Sequence, residues 1–314
     1  MTNSQRNADP AQSLCDFKFL VVGLVRNCES HLQADITRVR SAFSKAKQLN
    51  WLLIESDSSD QSVLVLEQLK KSVEHFDFIS LGVLRNEIPS RTERIAKCRN
   101  IYLESIRNNA LYQDVDYIVV CDFDGLNSLI SEDSLLSCWE RSDWDVCTAN
   151  QRGPYYDIFA LRHEHWCPSD CWAQYRFLSD YITSSEKALY ASVYSKMIII
   201  PENDPWIEVD SAFGGFAIYR KGLFNLAEYV GVSHQGEEIC EHISFHLSLK
   251  RQGARIFINP RLINAAYTEH TKQLLVLNSL VRKCRGFLKD SVRILFGKQG
   301  LDKFRKVVQL LKSS

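Results

Sequence analysis

The sequence predicts an α/β protein, and three observations carry that expectation. Over residues 17–121, apolar runs of strand length alternate with stretches whose apolar residues recur at helical spacing. Hydrophobic residues make up 45% of the 314, enough for a large core, while 13 Gly and 7 Pro are too few for a low-complexity architecture. No run of 18 apolar residues occurs, so no segment has the composition of a spanning helix.

Residues 1–15 are polar, lack the apolar centre of a signal peptide and read as a disordered lead-in. Residues 17–26 (FKFLVVGLVR) form an apolar run of buried-strand length, unbroken from Phe19 to Val25, as a strand buried on both faces requires. Leu32, Ile36, Val39, Phe43 and Ala46 then step by 4, 3, 4 and 3, which is helical spacing as far as about residue 48. A second strand at 51–54 runs into the polar loop 55–60. A helix (60–74), a strand (76–81), a helix (91–110) and a strand (116–121) complete a parallel, doubly wound half. Such sheets bind ligands at the carboxyl ends of their strands, so polar residues just after each strand are the candidates. Beyond residue 145 the pattern is less regular. Strand-like pieces at 145–151, 156–162, 207–219 and 254–263 surround a mainly helical stretch at 169–196.

Ten cysteines are scattered, several inside apolar runs, which is the usage of small buried hydrophobes in a reducing compartment. A cytoplasmic protein is the expectation. Charge is balanced, 38 Lys plus Arg against 38 Asp plus Glu, which excludes a general nucleic-acid coat. The balance is segregated, however. Residues 271–314 hold 11 basic and 2 acidic residues, leaving 27 basic and 36 acidic in residues 1–270. This tail repeats apolar residues at helical spacing, so it reads as a basic amphipathic helix for an anionic membrane surface or for the acidic body.

The chemistry-bearing pattern is Asp122-Phe123-Asp124, directly after the strand at 116–121. Side chains alternate along extended chain, so both carboxylates can face one crevice. Hard oxygen ligands of this kind suit Mg²⁺ or Mn²⁺, which keep positions open for phosphate oxygens.

With that motif, residues 17–270 resemble the nucleotide-sugar glycosyltransferases of the GT-A fold, especially capsule and lipopolysaccharide types. The resemblance implies a Rossmann-like, mostly parallel sheet with flanking helices. It divides the domain into a nucleotide-binding half (16–125) and an acceptor half (126–270). It places Asp122 and Asp124 on a divalent cation, with His270 as a late third ligand. For donor contacts it implies Arg26, Glu55 and Asp57 in the loops after the first two strands. Arg94 or Arg99 on the following helix, together with Asp122, would face the diphosphate. Tyr156, Asp157 and Arg162 match a segment beside the sugar, and Asp210, Gly214 and Gly215 match a glycine-containing acceptor loop. An acid at the start of the helix after residue 240 is the family's base, giving Glu241, with Glu237 and Glu238 as competitors.

Two rival constellations are weaker. Val119-Val120-Cys121-Asp122-Phe123-Asp124-Gly125 also resembles the nucleophile loop of haloacid-dehalogenase phosphatases, but no later acidic pair completes that site. His163, His165, Cys167 and Cys171 are too compressed for a zinc site. The expectation is a hexosyltransferase of surface polysaccharide synthesis that moves a sugar from a UDP- or GDP-sugar to a glycan or lipid-linked acceptor. A phosphatase and a non-catalytic sugar-binding protein are the alternatives.

Overall fold

The computed structural model describes residues 14–271; all but the first residue of the basic tail lies outside them. Residues up to Thr268 belong to one compact unit, and Glu269–Thr271 belong to a second. In chain order the elements are β1 (Lys18–Val25), α1 (Leu32–Ala42), β2 (Gln48–Glu55), α2 (Ser62–Ser72), β3 (Phe76–Ser80), α3 (Arg91–Asn108), β4 (Tyr117–Cys121) and α4 (Glu132–Leu136). They continue with β5 (Val146–Gln151), α5 (Cys171–Tyr181), α6 (Ser185–Ser192), β6 (Ile207–Val209), β7 (Phe216–Arg220), α7 (Glu241–Arg251) and β8 (Ile256–Ala265).

All eight strands form one sheet in the order β3-β2-β1-β4-β7-β5-β8-β6. The first four are mutually parallel, as are β5 and β8, while β7 runs antiparallel to both β4 and β5 and β6 antiparallel to β8. Alternate side chains of the same strands feed two separate cores. Leu20, Val22, Ile118 and Val120 pack with Tyr102, Leu103 and Ile106 of α3 and with Phe245 and Leu249 of α7. Phe19, Val21, Val119 and Cys121 pack with Leu32, Ile36 and Val39 of α1 and with Leu66 and Leu69 of α2. Both faces are covered, which is why these strands read as unbroken apolar runs.

Four expectations need correction. Leu14, assigned to the disordered lead-in, is buried in the core. α1 stops at Ala42, and β2 starts at Gln48, because the chain must turn through 43–47 to bring Gln48 into parallel register with Lys18. Residues 156–162 form turns with one isolated bridge, Arg162 to Ser211. The Asp157 carboxylate draws the backbone N–H groups of Ala160 and Gly214, an alternative to ladder bonding. Finally, 207–219 is two strands, at the sheet edge and at its centre. The loop between them turns through Gly214 (φ 72°) and Gly215 (φ 83°), left-handed positions suited to glycine.

Candidate active site

Register decides what meets Asp122. Cys121 pairs with Phe216, so the start of β7 lies at the end of β4, and the Asp122 N–H donates to Gly215 O at 2.9 Å. Phe123 turns into the core, where a Cβ on Gly23 would come within 2.5 Å of its ring. Asp122, 31% exposed at its side chain, and the exposed Asp124 are left on the open side. Burial and the Asp124 charge push Asp122 well above the ordinary carboxylate range, with Arg99 pulling the other way. This electrostatic tension is what a cation between the two would relieve.

Beneath the loop lies a buried amide network that sequence reading missed. Asn127 donates to Asp122 O at 2.6 Å, and Asn264 donates to Asn127 Oδ1 at 3.1 Å and to Gly214 O at 2.8 Å. Gln151 donates to Gly214 O and to Asn264 Oδ1, at 3.1 and 3.0 Å. Asp35, also missed, accepts the Gly125 N–H at 2.8 Å while 4% exposed. The available signals were polar residues in strands otherwise apolar, and an acid within the apolar stripe of α1.

The second centre is where α3 meets α7. Arg99, 4% exposed, donates through Nε to Glu241 Oε1 at 2.8 Å, and its Nη2 stands 4.0 Å from Asp122 Oδ1. Its guanidinium lies over Phe213 and Tyr229, at 5.5 and 5.7 Å from the ring centres. Among the described residues no hydrogen bond engages Glu241 Oε2. The competitor Glu238 is occupied elsewhere. It accepts from Ser90 Oγ at 2.8 Å and from the Arg91 N–H at 2.7 Å, closing the N-terminus of α3. These bonds hold Glu238 below the ordinary range. Glu237 is exposed, its backbone N–H bonded to Ser233.

The loops after β1 and β2 are zipped together: Asn27 Oδ1 accepts the Ser59 N–H at 2.8 Å, and Glu29 Oε2 the Gln61 N–H at 2.7 Å. Arg26 is exposed at the end of β1. Glu55 and Asp57, each 2% exposed, have their charges met inside the protein. Glu55 accepts from Ser58 N–H and Ser80 Oγ. Asp57 accepts the Arg85 N–H at 2.9 Å and pairs with Arg94 Nε at 3.3 Å. Arg94 also donates to Ile88 O and Pro89 O, each at 2.7 Å, so this trio shapes the loop.

In the segment expected beside the sugar, Tyr156 OH would lie 2.8 Å from a Cβ on Gly215, and Asp157 fixes the Gly214 N–H at 3.0 Å. Arg162 braces the segment, donating to Leu161 O at 2.6 Å and Asp170 Oδ2 at 2.9 Å. Asp210 is the one not brought in. It is exposed beside Lys250, 3.7 Å away, in the last turn of α7 and so at the far end of that helix from Glu241. His270 lies in the short turn Glu269–Thr271 of the second unit. Among the described residues no three His, Cys, Asp or Glu side chains are grouped to hold a metal, the compressed His163–Cys171 cluster included. No helix among them is long and apolar enough to cross a membrane.

No protein-family model and no curated protein matches the chain. Solved structures similar to it include S. aureus TarS 1-349 in complex with UDP-GlcNAc (14% identity, 80% of this chain, 59% of that one, TM-score 0.44). A second is a mannosyltransferase from Pyrobaculum calidifontis in complex with GDP-Man and Mn²⁺ (13% identity, 82% of this chain, 58% of that one, TM-score 0.46). A third is glucosyl-3-phosphoglycerate synthase from Mycobacterium tuberculosis in complex with UDP (11% identity, 80% of this chain, 69% of that one, TM-score 0.37). The chain spans less than three-fifths of the length of the first two. At such identity and overlap, its function has to be read from its own side chains.

Proposed function

We propose that the chain is a metal-dependent glycosyltransferase that moves a sugar from a UDP- or GDP-sugar to a hydroxyl of a glycan or lipid-linked acceptor. One observation carries the reading: the buried guanidinium of Arg99 links Asp122, at a strand's carboxyl end, to Glu241, at a helix start. A leaving diphosphate and an accepting base are the two charges a sugar transfer has to manage, and both have a partner here.

Glu241 is fixed through Oε1 by Arg99, which leaves Oε2 to take the acceptor hydroxyl's proton as the bond to the anomeric carbon forms. If Glu241 stands opposite the leaving diphosphate, attack is in line and the anomeric centre inverts; without a carboxylate behind that carbon the reaction retains it. Arg99 Nη2 faces the Asp122 side, where a guanidinium suits phosphate oxygens. Asp122 and Asp124 fit Mn²⁺ or Mg²⁺: two carboxylates at a strand end, one of them strained by the other's charge. Such a cation would neutralise charge growing on the diphosphate. Gly214 and Gly215 let the backbone come close to a sugar, and Asp157 and the amide network hold that backbone in place.

The test is a thermal-shift panel of UDP-, GDP-, CMP- and dTDP-sugars with and without Mn²⁺. A bound donor at 100 times its Kd stabilises the folded state by about 2.7 kcal/mol, well within reach of the measurement. Stabilisation by a UDP- or GDP-sugar that depends on Mn²⁺ is the expected result. No stabilisation by any nucleotide sugar sinks the reading.

A further inference from the structure

His242 is a residue the reading above does not use. It follows Glu241 in the first turn of α7 and is 3% exposed, yet among the described residues neither ring nitrogen has a hydrogen-bond partner. Its ring stacks on Phe213 with centres 4.1 Å apart and meets Tyr229 edge-on at 6.0 Å. A phenylalanine could make the same stack without burying two unpaired nitrogens, so packing alone does not call for histidine. Burial, then Arg99 and His246, hold the imidazole well below its ordinary range, so it is neutral.

Its position gives it a use. Nε2 stands 3.6 Å from Glu241 Oε1, just outside hydrogen-bond range, and that oxygen is held by Arg99 Nε at 2.8 Å. The other end of the same guanidinium is 4.0 Å from Asp122. A diphosphate beside Asp122 draws Arg99 toward itself, since a guanidinium pairs strongly with phosphate oxygens. Oε1 then loses its donor inside a buried site. A shift of less than about 1 Å brings the imidazole N–H into range to replace it.

We propose that His242 is a positioning residue for Glu241, taking over Oε1 through an Nε2–H donor when Arg99 turns to the donor's diphosphate. The hand-over keeps Oε2 aimed at the acceptor hydroxyl. This inference rests on the glycosyltransferase reading.

The experiment uses the full chain with the nucleotide sugar that stabilises it. His242→Phe keeps the stack and removes the donor. It is expected to melt at the parent temperature or above and to bind donor within twofold of the parent. Its kcat should fall by about 100-fold, the scale of a 1 Å misplacement of a catalytic group. His242→Gln, which restores an N–H, should regain a large part of that loss. In ¹⁵N spectra of the parent, the ring signal of His242 should move on addition of the Mg²⁺ nucleoside diphosphate. Parental kcat in His242→Phe overturns the proposal, as does a lowered melting temperature with equal losses in both variants, or a ring signal that stays still while nucleotide binds. In each of those cases the glycosyltransferase reading stands. If no nucleotide sugar stabilises the parent, that reading falls and this proposal with it.

Discussion

Buried carboxylates are held by specific donors, and at the scale of single residues those donors separate the acids engaged on their surrounding structure from Glu241, which is held through one oxygen. Asp35 sits in the apolar stripe of α1, where burial raises its pKa, the Gly125 N–H lowers it, and Asp124 raises it further. The net shift is upward, so the folded protein binds this proton more tightly than the unfolded chain does. The penalty is therefore fully present at neutral pH and shrinks as pH falls toward the ordinary carboxylate range. Asp35→Asn, which can still accept from Gly125, should be more stable than the parent at pH 7. The gap should close toward pH 4 in denaturant titrations. Asp124→Asn removes the charge that strains Asp122. Its melting temperature without metal should equal or exceed the parent's, while the Mn²⁺-dependent stabilisation by nucleotide sugar is lost.

Between elements, close approach of backbones sets the geometry. Gly23 on β1 lies against the end of β4, and a Cβ there would meet Cys121 O at 2.2 Å and the Phe123 ring at 2.5 Å. Gly23→Ala therefore has to push β4 or Phe123 aside. It should destabilise by about 1–3 kcal/mol, the cost of overpacking a core, and should weaken the nucleotide-sugar response by moving Asp122. Asn264→Ala leaves Asn127 Oδ1 without its donor, at a cost of about 1–3 kcal/mol for an unsatisfied buried group. Both effects are readable by chemical denaturation. Strands, and helices with a clear apolar stripe, were legible in the sequence because their pattern is local. Residues 156–162 looked like a strand by composition, but Asp157 hydrogen-bonds the backbone there, and the partner Gly214 is 57 residues away.

For the whole molecule, two distributions matter: strand order and charge. Inserting β7 between β4 and β5 brings Gly214 and Gly215 from the far half of the chain to Asp122. The segregation of charge, with 11 basic residues against 2 acids in 271–314, predicts a separate behaviour. Deleting residues 272–314 should abolish sedimentation with anionic liposomes and leave the Mn²⁺-dependent nucleotide-sugar shift intact. Sedimentation unchanged by the deletion would remove the membrane role. The sequence by itself determined the α/β class, the alternating strands and helices of residues 17–121 and the Asp122-Phe123-Asp124 motif, because burial on two faces and side-chain alternation are properties of neighbouring residues. Only the tertiary structure decided which acids have charge to spare. Glu238 is spent on Ser90 and Arg91, Glu55 on Ser58 and Ser80, and Asp57 on Arg85 and Arg94, while Glu241 is gripped on one oxygen and, among the described residues, has no hydrogen bond on the other. The reason is that a buried charge takes its partner from across the fold, and Arg99 and Glu241 are 142 residues apart.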